Sequence, residues 1–291
     1  MAHRAVAGLL TCALLVSGCA GNPPVSPPPG PTAPVTPPAP PRDDATAAAI
    51  EAVLAGEHRA AENRARDAHR HPLDTLLFFG IKPEMTVVEV WPGAGGWYTE
   101  ILAPLLAERG KLYVATMPPL PANEYVTSTL QRFDAKLASR PELYGKVTVT
   151  RLGPGDFNAA PPGSADLVVT FRNLHNWMNL GFTAEAIAEM HRALKPGGIL
   201  GVVEHRADPA KPIDPRASNG YVNEEEAIRL IEAAGFELVE RSEINANPRD
   251  TRDHEQGVWT LPPNYRAGNR DRARYEAIGE SDRFTLKFRK N

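Results

Sequence analysis

Short β-branched apolar runs alternate along this chain with stretches of helical periodicity, and that alternation constrains the fold more than any other feature. Residues 85–90, 111–115, 146–151, 166–171, 199–204, 236–242 and 284–288 read as strands. Several are apolar at nearly every position, as Val87, Val88 and Val90 or Leu167, Val168 and Val169 show, which is the pattern of strands covered on both faces. Between them, Val126, Leu130, Phe133 and Leu137 recur at helical spacing, as do Ile187, Met190 and Leu194 behind Thr183 as N-cap. Asn223 and Glu226 have capping-box spacing for a helix closed by Gly235. The alternation predicts an α/β fold with a doubly wound, mostly parallel seven-stranded sheet. No helix separates the last two strands, so they are expected to pair antiparallel. Ahead of the sheet, residues 43–70 read as one alanine-rich charged helix, with Glu62 and Arg66 at i,i+4 spacing. Pro72 opens a second short helix that Gly80 ends.

This domain occupies residues 43–291, and what precedes it has another composition. Arg4 is followed by an uncharged apolar stretch over residues 5–16, then by Ser17 and Gly18. That stretch is shorter than the ~20 residues of a membrane-spanning helix, so residues 1–18 read as an export signal. Residues 19–42 read as a tether, because from residue 21 onward eleven of 22 positions are proline. Proline at half the positions prevents helix and ladder pairing and favours an extended form reaching roughly 70 Å. Cys12 leaves with the signal and Cys19 heads the tether, so the folded domain is expected to hold no thiol. Cysteine nucleophiles and cysteine-based metal sites are thereby excluded. With 32 Lys and Arg against 35 Asp and Glu, nothing points to a nucleic-acid partner.

In doubly wound sheets the ligand lies beyond the carboxyl ends of the strands. The first strand runs into Glu89-Val90-Trp91-Pro92-Gly93-Ala94-Gly95-Gly96, where glycines let the backbone turn tightly and approach a ligand. Tyr98 stands two residues past Gly96, so the G-x-G-x-x-G of a dinucleotide site is absent. No Gly-Lys-Ser/Thr follows either, which argues against a nucleoside triphosphate. His175 follows the fourth strand; as a neutral imidazole it could accept a proton from an oxygen, nitrogen or activated carbon. Its alternative is a hydrogen bond to loop backbone. Glu204 and His205 end the fifth strand and face the same cleft, with a structural reading preferred for both. His191 reads as a partly buried helix residue. Asp67, Arg70 and His71 read as a solvated helix end with local ion pairs, closure over the ligand being the alternative. No metal site is expected, since His69 and His71 flank Arg70 without a second ligand pair. Residues 244–282, long for a link between paired strands, mix arginines and acids with Trp259 and Tyr265. They read either as a lid over the cleft or as a solvated loop.

At these residues the chain resembles the class I S-adenosylmethionine-dependent methyltransferases. Residues 87–96 are similar to their first motif, an acid followed by x-G-x-G-x-G, and Leu194-Lys195-Pro196-Gly197-Gly198 to the turn before their fifth strand. Asp166-Leu167-Val168-Val169 is similar to their fourth strand and Gly155-Asp156-Phe157 to their adenine-side Gly-Asp. Phe171-Arg172-Asn173-Leu174 resembles a segment of the ubiquinone/menaquinone-biosynthesis C-methyltransferases. Most of the domain looks closest to predicted exported methyltransferases of unassigned substrate, and Val16-Ser17-Gly18-Cys19 resembles the lipobox of bacterial lipoproteins. The resemblance implies a Rossmann-like class I methyltransferase fold with S-adenosyl-L-methionine as cofactor. It places Gly93 and Gly95 against the methionine moiety and ribose, and Glu89 at the loop or the ammonium group. Asp156 would accept from the adenine amino group with Phe157 beside the ring, and Trp91 and Asn173 would join the cofactor's wall. Two departures stand out. Trp91 occupies the position of the first motif glycine, and the second strand ends in Ala115-Thr116-Met117 where the family has a ribose-binding acid. Thr116 offers one hydrogen bond in its place.

The expectation is methyl transfer to an unidentified small-molecule acceptor, with His175 as the catalytic base. The domain would be exported to the bacterial envelope, lipid-anchored to the membrane through acylated Cys19, and would face the periplasm. The alternative is an inactive domain that keeps the fold as a binding or scaffold module. The missing ribose acid favours it, as does the cytosolic origin of S-adenosylmethionine.

Overall fold

Eight strands form one sheet among the described residues. They are β1 (Thr86–Val90), β2 (Lys111–Thr116), β3 (Thr148–Gly153), β4 (Asp156–Asn158), β5 (Ala165–Phe171), β6 (Leu194–His205), β7 (Phe236–Ser242) and β8 (Arg283–Lys290). Their spatial order is β4-β3-β2-β1-β5-β6-β8-β7. β3, β2, β1, β5 and β6 pair in parallel, whereas β8 runs antiparallel to both β6 and β7. The computed structural model describes residues 43–291; the expectations for the signal, the tether and Cys19 lie outside the described residues. Among the described residues no helix is long and apolar enough to cross a membrane.

Two-sided burial of the strands follows from their sequences. Val88, Val90 and Val168 face a core built on Trp177, Ile187 and Ile228. Val87, Leu167 and Val169 face the opposite core, with Leu76, Phe79, Ile101 and Leu102. Each fully buried Leu, Ile or Phe contributes about 1.5–3 kcal/mol, so the helices that carry them are held to the sheet by side chains rather than by intrinsic propensity. Helix Thr99–Leu106 is the extreme case, since seven of its eight residues are buried and only Pro104 is not.

Four expectations need correction. The eighth strand, β4, is a three-residue return that pairs with the end of β3, Gly153 opposite Asp156, and extends the sheet by one edge. Residues 43–70 are not one helix but Asp44–Leu54, Ala61–Arg64 and Asp67–Arg70. The break coincides with Arg59, fully buried and bonded to Asp67 at 2.6 and 2.9 Å, a contact that a continuous helix would not make. Arg66 accordingly pairs with Glu280 at 2.7 Å, not with Glu62. Finally, Thr183 is not an N-cap but the first residue of its helix, with Phe182 in the cap position and no side-chain cap; a shorter helix, Leu174–Leu180, precedes it.

Candidate active site

The order in which the chain lays down its strands reverses between β1 and β5, with β2 and β3 on one side and β6 on the other, which is where open α/β sheets bind ligands. Two cavities of about 370 and 410 Å³ open there side by side. Trp91, Pro92, Gly93, Tyr125, Asn173 and Asn176 belong to both. The first cavity is apolar and lies on the β2 side, against Thr116, Met117, Val126, Phe133 and Phe182. The second is polar and lies at the ends of β5 and β6, against Arg70, Arg172, His175, His205 and Trp259.

The shared wall is strained and firmly braced. Trp91 sits at φ 48°, a left-handed conformation that costs a residue with a Cβ roughly 1–2 kcal/mol. Its backbone N–H donates to the Ala115 carbonyl at 2.8 Å, and its indole N–H to the Leu152 carbonyl at 2.7 Å. The ring packs edge-on against Trp177. The buried Asn173 amide donates to the Val90 carbonyl at 2.9 Å and ties β5 to the loop. Two glycines then turn the loop. At Gly96, φ 51°, a Cβ would stand 2.9 Å from the Phe133 ring. At Gly93, φ 70°, it would meet nothing within 4 Å, so that backbone is bare toward the cavities it lines. Glu89 lies beneath, buried and accepting from Thr99 Oγ1 at 2.7 Å. Burial pushes its carboxyl up to about 7 against the opposing pull of that hydrogen bond.

His175 sits in the first turn of helix Leu174–Leu180, with its ring on the polar cavity. Glu204, fully buried at the end of β6, accepts from three directions: His175 Nδ1 at 3.1 Å, the His175 backbone N–H at 3.2 Å and the His205 backbone N–H at 2.7 Å. An acceptor on Nδ1 puts the proton there and leaves Nε2 as the basic nitrogen. His205, whose Nδ1 lies 2.6 Å from Ser281 Oγ, is held neutral by burial, with His175 and Arg172 adding to the effect. The three side chains stand close enough to share a cation, within 4.8 Å. Glu204 takes two of its N–H groups on Oε1 and one on Oε2, which fixes the carboxylate against the His175 ring. Trp259 closes over His175 with ring centroids 6.0 Å apart.

The solvated helix end expected of Asp67, Arg70 and His71 needs correction at Asp67, which is bonded to the buried Arg59, and at Arg70. Arg70 is 3% exposed, lines the polar cavity, pairs with Glu280 at 3.1 Å and covers the Trp97 ring at 4.7 Å. The sequence singled out Arg70, and Arg66 as a partner of Glu62, but not Glu280, because its pairings with them span 210 and 214 residues.

The other candidates divide. Thr116 lines the apolar cavity, but its hydroxyl donates to the Thr150 carbonyl at 3.3 Å and accepts from Arg151, so the single ribose contact expected of it is already engaged within the protein. Gly95 is exposed and outside both linings. Asp156 is also exposed and in neither cavity: the tight β3–β4 return carries it to the sheet edge and leaves Pro154 in the wall. Phe157 packs into the core near Phe182. From residues 244–282, Val258, Trp259, Pro262 and Pro263 roof the polar cavity. Tyr265 lies apart from it, under the Arg272 guanidinium.

Residues 96–202 match the family described as methyltransferase domain. Among solved structures, a SAM-dependent methyltransferase from Aquifex aeolicus is similar at 17% identity and a TM-score of 0.51, over 84% of this chain and 97% of that one. The 4+2 cyclase SpnF is similar at 17% identity and a TM-score of 0.53, over 81% and 84%. A search of curated proteins found no match to the chain. Residues 96–202 thus carry a methyltransferase domain, and the sheet around it has the Rossmann-like fold of the class I S-adenosylmethionine-dependent methyltransferases.

Proposed function

We propose that the domain transfers the methyl group of S-adenosylmethionine to a small-molecule acceptor held in the polar cavity, with His175 as general base. The cofactor supplies an electrophilic methyl on a sulfonium when bound. The residues present fit it: the cavities have the size of small-molecule sites, the Gly93 backbone is bare, and the apolar cavity suits an adenosine. Glu89, raised to about 7, ionises readily when a cation comes near. Glu204 orients the His175 ring so that Nε2 can take the acceptor's proton as the nucleophile attacks, an effect worth roughly 10²–10⁴-fold. Holding donor and acceptor in line can supply up to about 7–11 kcal/mol more. The observation that carries the reading is the buried Glu204–His175 pair on the wall that adjoins the glycine loop. We also propose that the domain acts outside the cytoplasm, anchored through acylated Cys19; the signal-like residues 1–18 and the proline tether support this.

Calorimetry on the full chain tests the reading. Micromolar binding of S-adenosylmethionine is expected. It should be lost in Gly93→Val, which adds both left-handed strain and a side chain at the bare backbone. His175→Ala should keep the binding and lose methyl transfer to envelope extracts. Absence of binding by folded protein would favour the scaffold reading, whose specific support is the Thr116 hydroxyl bound up where a ribose acid belongs. Cys19→Ala is expected to release the protein from membranes.

A further inference from the structure

The polar cavity carries more positive charge than its own acids neutralise. Arg66, Arg70 and Arg172 line it against Glu280 and Glu89. Burial raises the Glu280 carboxyl, but Arg70, Arg283 and Arg66 outweigh it and hold Glu280 well below the usual carboxylate range. Glu280 is therefore fully used, with contacts of 2.7, 3.1 and 3.2 Å to those three arginines.

Arg172 has no such partner: among the described residues its guanidinium makes no hydrogen bond or ion pair of its own. Burial pushes it down to about 10, so it stays charged at neutral pH while losing hydration. Its backbone is held at φ 62°, a strained conformation of the kind that clusters at ligand sites. Arg70 adds a second free donor, because its Nη1 is buried without a hydrogen-bond partner on a residue 3% exposed. An unsatisfied buried donor costs about 1–3 kcal/mol, and more when charged. Arg70 Nη1 and the unpartnered guanidinium of Arg172, half-buried on the lining of the same cavity, are served together by an oxyanion, which guanidinium groups bind in forked geometry.

We infer that Arg70 and Arg172 form an oxyanion subsite beside His175, and that it takes the carboxylate or phosphate of the methyl acceptor. This rests on the methyl-transfer reading above. The charge count selects the acceptor as the source. S-adenosylmethionine has one carboxylate against a sulfonium and an ammonium, so it adds net positive charge to a cavity already in excess. A second anion must offset that. Trp259 beside His175 supplies an apolar wall on the cavity lining, so the probes chosen are aromatic acids.

The test titrates the full chain with benzoate, phenyl phosphate and neutral benzamide at constant ionic strength. Tryptophan fluorescence is followed with and without saturating S-adenosylhomocysteine. At least one acid should bind saturably, and benzamide at least tenfold more weakly. Arg172→Gln should weaken the acid at least tenfold and leave S-adenosylhomocysteine affinity within twofold, while Arg172→Lys recovers part of the loss. Circular dichroism checks that each variant is folded. Equal binding of benzamide, or acid binding unchanged in Arg172→Gln, would overturn the subsite. A loss of S-adenosylhomocysteine affinity with 5′-methylthioadenosine unaffected would give the arginines to the cofactor's own carboxylate and overturn the acceptor assignment. Wild type that binds the acids but not S-adenosylhomocysteine would uphold the subsite while removing the methyl-transfer reading, so the two failures are separable.

Discussion

Glu89 shows how one buried group couples folding, binding and pH. Its carboxyl is raised from 4.5 to about 7, so the folded state holds a proton that the unfolded state has released across that window. The contribution to stability is fully present below about pH 4.5 and is lost as pH rises through 7, a swing of about 3 kcal/mol. Glu89→Gln keeps the shape without the charge and should be more stable than wild type at pH 8, with the gap closing toward pH 5; urea midpoints measure both. A cationic ligand acts the other way, since it favours the ionised form. S-adenosylmethionine binding should therefore tighten as pH rises from 6 to 8 and release a proton below 7, and Glu89→Gln should abolish that dependence. Calorimetry in buffers of different ionisation enthalpy reads the proton directly. Glu204 acts at one remove, as a positioning residue. Glu204→Gln offers an N–H to His175 Nδ1 in place of an acceptor and so favours the wrong tautomer. Turnover should fall about 10²–10⁴-fold with S-adenosylhomocysteine affinity kept.

Among the elements, β6 is the one that two layers depend on. Its Gly201 faces the Phe79 ring of helix Pro72–Phe79, and a Cβ there would stand 2.6 Å from the ring. Gly201→Ala should therefore cost about 1–3 kcal/mol in urea unfolding, as overpacking of a filled interior does. Elements of this kind were legible in the sequence because continuous apolar runs and helical spacing are local signals. The glycine loop after β1 was legible for the same reason, and with it the placing of Trp91, Gly93 and Asn173 on the site's wall. What was not legible depended on distant partners. The i,i+4 spacing of Glu62 and Arg66 promised a helix, but Glu280 outcompetes Glu62 for Arg66. Gly155-Asp156-Phe157 had the look of a binding loop, yet the return at Gly153 turns Asp156 outward as part of a strand. His175 was found from its position after β5; its helix was not, since seven residues with two adjacent buried pairs, Leu174-His175 and Trp177-Met178, give too short a periodicity to read.

On the scale of the whole molecule, the two ends of the described chain meet at the active-site wall. Arg66 and Arg70 come from the first short helices, Glu280 and Arg283 from the start of β8. Arg283 also donates to the His69 carbonyl at 2.8 Å, and Asn245 joins Thr75 to Thr285 at 3.0 and 2.9 Å. Removing the acid from such a buried group strands its arginines, so Glu280→Gln should cost about 3–5 kcal/mol at pH 7. The sign with pH follows from the depressed carboxyl. Its contribution is fully present above the ordinary value of 4.5 and is lost as pH falls toward the lower folded value, so wild type and variant should converge in urea unfolding as pH drops from 5 to 3. Because the same carboxylate fixes Arg70 at the cavity, the variant should also weaken binding of an aromatic acid at pH 7. A variant that lost stability yet bound the acid unchanged would separate the scaffold from the site. Joint loss is the outcome expected of a wall built from both ends of the domain, in which the interactions that close the fold also set the charge its ligand meets.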